Sequence, residues 1–327
     1  IVAKETDKSA AILSKVMAKS DDTTVASVIN NITEKNANEE SKLSLKVMAD
    51  FSEKNPEKLE TLAQNNADQI QKLTISAVEE AASSQEDANL IAKVVASASD
   101  DLANKVVEEV SKNSTEENQT LSAQVLKAIV DSDSGKIEII NNDVKETMIK
   151  QTIESAQNQQ EGTGVQQTQD MTSIISDIIV NSNTETGSKM IEELNNSSID
   201  TDSNLSLQVI SAISEKDTTK LNTLSENNKE QIDTLTESAV KNAGASQEDA
   251  DLIANVVANA SDEFANQIIG EVTKNSTNEN QALSAKVMKS IVESNPDKIE
   301  NLNDENKENM INQTIEAAKN QAEGSST

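Results

Sequence analysis

The sequence predicts an all-α fold, a tandem helical-repeat solenoid, and three observations carry that prediction. Apolar residues recur with helical spacing, long stretches return after a constant interval, and helix-start signals stand at matching places in each copy. "NSTEENQTLSAQVLKAIV" begins at Asn113 and "NSTNENQALSAKVMKSIV" at Asn275, which sets the interval at 275 − 113 = 162. "LSLKVMADFSEK" from Leu43 returns as "LSLQVISAISEK" from Leu205, and "SQEDANLIAKVV" from Ser84 returns as "SQEDADLIANVV" from Ser246.

The chain therefore reads as two copies of one module, with domains at 1–162 and 163–327. The boundary is placed in "SAQNQQEGTGVQQTQDM", where Gly162 and Gly164 stand among glutamines. Each module reads in turn as two related units. "LSLKVMADF" at Leu43 resembles "LSAQVLKAI" at Leu121, so the length of one unit is 121 − 43 = 78 and that of the other 162 − 78 = 84. Apolar anchors mark the units at Val16, Val47, Val94, Val125, Ile178, Val209, Val256 and Val287. In general plan such units resemble armadillo or HEAT arrays, without a diagnostic motif of either.

The first unit resolves into five helices, near 9–20, 22–35, 40–53, 56–64 and 67–82. The first carries the Val16 anchor, and Asp21-Asp22 opens the second with charge suited to a helix N-terminus. The third holds the repeated "LSLKVM" face. Pro56 behind Asn55 starts the fourth, as Pro296 behind Asn295 does in the second copy. "NNADQI" at Asn65 and "NNKEQI" at Asn227 mark the next break and cap. Ser84 with Asp87 and Ser246 with Asp249 have capping-box spacing, as do Ser114 with Glu117 and Ser276 with Glu279. In "ADLIANVVANA", Leu252, Ile253, Val256, Val257 and Ala260 line one helical face, and the pattern resumes at Phe264, Ile268, Ile269 and Val272. No stretch alternates with the period of a strand.

The repeats also expose the core. Met48, Leu126, Ile210 and Met288 are equivalent, as are Phe51, Ile129, Ile213 and Ile291. Apolar-for-apolar exchange of this kind is what packing positions tolerate, usually for under about 1.5 kcal/mol.

Composition excludes most chemistry. The chain has no Cys, His, Trp, Tyr or Arg, and its only aromatic residues are Phe51 and Phe264. Without His or Cys there is no Ser-His-Asp triad, thiol nucleophile or usual zinc site. The seven glycines form no phosphate loop, and Gly162-Thr163-Gly164 lacks the third glycine of a dinucleotide turn. No catalytic, cofactor-binding or metal residue is assigned, and the protein reads as no enzyme. The net charge of −29 repels nucleic acid and anionic lipid. No apolar run approaches the roughly 20 residues of a membrane span.

Acidic pairs at Asp21-Asp22, Glu79-Glu80, Asp100-Asp101 and Glu108-Glu109 read as helix starts or solvated faces rather than paired catalytic acids. Asp100, Asp101, Glu108 and Glu109 are the first candidates for bridging a cation, and diffuse cation binding is favoured over a defined site. "DSDSGKIEII" from Asp131 has its glycine one place early for a calcium loop and reads as a turn before a helix. The Asn-x-Ser/Thr sequences at Asn31, Asn113, Asn204, Asn259 and Asn312 are expected by chance in so Asn-rich a chain.

The small, unreactive residues suggest a protein made in bulk and exported, and a start at "IVAKETD" suggests a processed product or a piece of something longer. The expected function is structural and non-enzymatic: a segment of a secreted, cell-surface or filament-forming bacterial array that self-associates. The alternative is an α-solenoid adaptor for a protein or peptide.

Overall fold

A computed structural model describes the chain except for residues 1, 36–41, 83, 115–117, 119, 162–164, 199–203, 245, 277–281 and 325–327. It describes the backbone alone at 2–4, 35, 159–161, 165–170, 198 and 321–324. Among the described residues the chain forms twenty helices and no strand. The first ten are α1 (Val2–Lys19), α2 (Asp22–Lys35), α3 (Leu43–Lys54), α4 (Pro56–Asn65), α5 (Ala67–Glu79), α6 (Gln85–Ser97), α7 (Asp100–Asn113), α8 (Leu121–Asp133), α9 (Lys136–Ile139) and α10 (Asn142–Glu161). The remainder are α11 (Val165–Asn181), α12 (Thr184–Ser198), α13 (Leu205–Lys216), α14 (Thr218–Asn227), α15 (Lys229–Asn242), α16 (Gln247–Asn259), α17 (Asp262–Asn275), α18 (Ala282–Ser294), α19 (Asp297–Asn301) and α20 (Asp304–Gly324). The fold is all-α and of helical-repeat type, in keeping with a solenoid.

Four of the five helices expected in the first unit lie within a few residues of their observed bounds. The first begins earlier, at Val2, and the expected start of the third at 40 lies outside the described residues. Single residues, Asn55 and Asn66, separate α3 from α4 and α4 from α5. Asn66 marks the expected break but gives no side-chain cap; its backbone N–H closes α4 on the Leu62 carbonyl at 2.7 Å. Pro56 opens α4 as expected, whereas Pro296 sits one place before α19, at its N-cap.

Two compact units are distinguished. One comprises Ile1–Ser155 with Asn181–Asn183, the other Ala156–Val180 with Thr184–Thr327. The boundary expected at Gly162 lies outside the described residues. In the first unit, α1, α3, α6 and α8 pack in sequence as one row, and α2, α5 and α7 form a second row. Contacts of α3 with α5 and of α6 with α7 hold the rows together. In the second unit, α13, α16, α18 and α20 form one row and α12, α15 and α17 the other. A helix thus packs on helices two or three places away as well as on its chain neighbour, which is how a stack of two-layer repeats buries its stripes.

The core is aliphatic apart from Phe51 and Phe264. Phe51, Ile129, Ile213 and Ile291 are all buried, as the repeat equivalence implies. Met48, Leu126 and Ile210 are buried too, but Met288 is half-buried. Of the eight anchors, Val16 alone departs from expectation: the others are buried and Val16 is exposed.

The helix starts follow the sequence in part. Ser84 Oγ accepts from the Asp87 N–H at 3.2 Å, and Ser246 Oγ accepts from the Asp249 N–H at 3.0 Å. Ser114 and Ser276, expected to open helices, instead close α7 and α17, and the acids three places on, Glu117 and Glu279, lie outside the described residues. The Ser114 oxygen caps at a distance. It accepts from the Ser122 N–H, near the start of α8, at 3.0 Å. An orphan amide at a helix start needs an acceptor, and here tertiary structure supplies one eight residues back.

Position 51 provides a test of packing. Phe51→Ala is expected to cost about 3–5 kcal/mol. Phe51→Ile, the residue at the three equivalent sites, should cost roughly 1–2 kcal/mol. Urea unfolding followed by far-UV circular dichroism measures both. Equal losses would show that the position lacks the tolerance its repeats imply.

Candidate functional site

Three of the four acidic pairs, all but Glu79-Glu80, are engaged as helix-end and surface charges. Asp21 Oδ1 accepts from the Thr24 N–H at 2.8 Å, which holds its carboxyl below the usual range. Asp22 accepts from Lys58 at 3.0 Å and Asn65 at 3.2 Å. Asp100 and Asp101 stand in the first turn of α7, with Asp100 3.8 Å from Lys136 Nζ. Glu108 and Glu109 each lie 2.8 Å from Lys112 Nζ, and their hydrogen bonds raise that ammonium above its ordinary pKa. Of the candidate cation-bridging residues, Asp100, Glu108 and Glu109 therefore stand in separate local pairings. Among the described residues no group of three or more acids is placed to hold a metal ion. Asp131 pairs with Lys127 at 2.6 Å, and Asp133 Oδ1 accepts from the Gly135 N–H at 3.0 Å, so that stretch forms a helix end and a tight turn.

Buried polar groups form three kinds of node, two of which recur in the second copy. Buried Asp87 takes Lys42 Nζ at 2.5 Å, Ser84 Oγ at 2.7 Å and the Ala82 N–H at 3.1 Å. The last bond departs from a reciprocal capping box, because the carboxylate reaches back beyond the cap residue. In the second copy Asp249 takes Asn204 Nδ2 at 2.5 Å and Ser246 Oγ at 2.7 Å. Lys42 is the one non-glycine residue in the left-handed region among the described residues, at φ 47°.

The second node is a hydroxyl–amide chain. Ser114 and Ser122 share a hydrogen bond at 2.7 Å, Ser122 donates to Gln151 Oε1 at 2.7 Å, and Gln151 Nε2 donates to the Ser111 carbonyl at 2.8 Å. Ser276, Ser284, Gln313 and Thr273 repeat it at 2.6, 2.5 and 2.7 Å. This is part of what the twice-spelled stretch encodes.

Glu80 forms the third. Its carboxylate accepts from the Leu45 N–H at 3.2 Å, capping the start of α3 from another helix, and from Ser76 Oγ at 3.3 Å. Burial pushes its pKa up, outweighing the hydrogen bonds from Ser44, Leu45 and Ser76 that favour the charge. The equivalent residue in the second copy is neutral Asn242.

The surface is the least uniform feature. The exposed large apolar side chains among the described residues lie only in α1, α18 and α20. Ile12 is 62% exposed and Val16 39%, whereas their second-copy equivalents Ile174 and Ile178 are 9% and 0%. Val292, Ile311 and Ile315 are 51%, 49% and 47% exposed, whereas their first-copy equivalents Val130, Ile149 and Ile153 are 5%, 1% and 0%. An apolar groove of about 370 Å³ runs on α1, α2 and the start of α3, lined by Leu13, Val28, Ile32 and Leu43 among others. Among these residues periodicity singled out Val16, as an anchor, and Leu43, at the start of a repeated face. It carried no signal for which copies of a face remain uncovered.

Two substitutions test the buried nodes. Lys42→Ala removes the cation from buried Asp87 and is expected to cost roughly 1–3 kcal/mol. Lys42→Asn places there the residue found at position 204 and should cost under about 1 kcal/mol, since Asn also suits a left-handed backbone. Thermal melts of both variants distinguish these outcomes. For Glu80 the folded-state pKa exceeds the unfolded one, so the folded chain binds the extra proton and stability at this residue falls as pH rises past about 4.5. Glu80→Gln is therefore expected to raise the melting temperature relative to wild type at pH 7, with the gain vanishing below about pH 4.5. A difference between the two proteins that is constant with pH would contradict this.

No family model and no curated protein matches the chain. Among solved structures, a crystal structure of an engineered protein is 15% identical, covering 95% of this chain and 94% of that one, at a TM-score of 0.25. A second, from the computational design of self-assembling cyclic homooligomers, is 16% identical, covering 98% of this chain and 99% of that one, at a TM-score of 0.16. At these scores neither likeness bears on the fold or function of this chain.

Proposed function

We propose that this chain is a non-enzymatic structural protein whose working property is self-association, as part of a secreted or cell-surface helical-repeat array. The observation that carries this reading is the placement of Ile12, Val16, Val292, Ile311 and Ile315, the exposed large apolar residues among those described, in α1, α18 and α20. Clustered exposed apolar side chains mark interaction surfaces rather than ordinary solvated ones. The chemistry of the rest is in keeping: short acidic, lysine and amide side chains, with many of the acids paired or capping.

Charge sets the conditions. At −29, copies repel one another in dilute buffer. The screening length is roughly 8 Å at physiological ionic strength and about 3 Å at 1 M, so salt removes the repulsion while leaving apolar contact intact. The adaptor reading rests on the groove at Leu13, Val28, Ile32 and Leu43, which would then hold an apolar peptide.

Sedimentation velocity with electron microscopy, from low salt to about 1 M and with calcium or EDTA, tests the proposal. Assembly is expected to grow with salt. A protein that stays monomeric throughout at high concentration overturns self-association and favours the adaptor.

A further inference from the structure

The exposed apolar residues belong to two different surfaces. Ile12 and Val16 lie on α1, and Val292, Ile311 and Ile315 lie on α18 and α20. On each surface the change in burial is not confined to the large apolar residues. Thr24 is exposed and Leu13 and Val28 are half-buried, while their equivalents Thr186, Ile175 and Met190 are buried. Lys307 and Thr314 are half-buried, while Lys145 and Thr152 are buried. Polar and apolar positions shift together. That is the mark of a whole surface being covered at one occurrence and left open at the other.

Two hydrogen bonds supply a register for such a surface. Within the first unit, Asn181 Nδ2 donates to Asp131 at 3.3 Å and Asn183 Nδ2 donates to Glu138 at 3.3 Å. Carrying each acid one repeat forward and each amide one repeat back translates these contacts to the open surfaces. Asp131 becomes Glu293 and Asn181 becomes Lys19, so an amide–carboxylate bond becomes an ion pair of opposite charge. Glu138 becomes Glu300 and Asn183 becomes Asp21, so the second contact sets two carboxylates face to face.

We infer that a second copy of this chain docks head to tail. The Ile12–Val16 surface of one copy meets the Val292–Ile311–Ile315 surface of the next, and Lys19 pairs with Glu293, in the register of the Asn181–Asp131 contact. This rests on the self-association proposed above and specifies its surfaces. Both Lys19 and Glu293 are exposed; Glu293 has Lys289 near it, at 3.8 Å. The opposed Asp21 and Glu300 weaken the contact at low salt, and screening relieves them. Because the two surfaces differ, the contact is heterologous. Each added copy presents a fresh surface, and growth is open-ended.

A mixing experiment tests this. Val16→Glu spoils one surface and Ile315→Glu the other, and both side chains are exposed, so the circular dichroism melt of each variant should match wild type. Each variant alone is expected to be monomeric in salt where wild type assembles. An equimolar mixture should form dimers and stop, because each partner brings one intact surface. For the ion pair, Lys19→Glu and Glu293→Lys should each weaken association by about fivefold, and the double reversal should restore it. Three results overturn the inference while self-association stands: wild type assembles and the surface variants do too, the mixture stays monomeric, or the double reversal fails to recover. A wild type that never assembles overturns both proposals.

Discussion

A short amphipathic helix cannot bury its apolar stripe by itself, and the architecture of this protein follows from that limit. The helices here run mostly ten to twenty residues, and the side chains they bury are mostly aliphatic or small. A fully buried Leu, Ile or Val is worth roughly 1.5–3 kcal/mol, against about 1–2 kcal/mol of backbone entropy for every ordered residue. Such helices persist only where neighbours cover them on both sides. The two rows in each unit supply that cover, and α3, between α1 and α6, shows it in full, with Leu45, Val47, Met48, Ala49 and Phe51 all buried. At α1, α18 and α20 the cover is incomplete, and the apolar stripe reaches the surface.

Polar groups carry what aliphatic packing leaves unspecified. Rows of Leu, Ile and Val tolerate exchange, as the equivalent positions 51, 129, 213 and 291 show, and tolerance permits slippage. Asp87 and Asp249, each buried and each holding a serine hydroxyl and one more distant donor, fix one helix start against a residue 45 positions away. The Ser-Ser-Gln chains do the same between α7, α8 and α10, and between α17, α18 and α20. A carboxylate or amide in such a node is satisfied in one register only, so each node penalises a slipped repeat. At the equivalent places an ammonium, Lys42, and a neutral amide, Asn204, each donate to the buried carboxylate.

The charge excess acts on a longer scale than either. Acids stand at helix starts, where they favour the dipole, and in i,i+3 and i,i+4 pairs with Lys, such as Glu108 and Glu109 with Lys112 and Glu271 with Lys274. These pairs sit at the surface and contribute little stability singly. Their summed field repels any other body of like charge, and salt screens that repulsion.

The all-α class, the helix breaks and most of the core were legible in the sequence. Those properties are local or periodic: a proline behind an asparagine, a serine three residues before an acid, apolar residues on one helical face. The long repeat added equivalences, so that Phe51 identified Ile129, Ile213 and Ile291 as core together. Which of the equivalent residues are covered was settled by packing alone. Val16 and Ile178 read alike, yet one is exposed and the other buried, because burial depends on what lies against a face. For the same reason Ser114, spaced like a helix-opening cap, closes α7 and lends its oxygen to α8, and Glu80, one of a surface-looking acidic pair, caps α3 from within the core. A cap or a buried charge is defined by the amide it meets, and that amide is brought to it by the packing of separate helices.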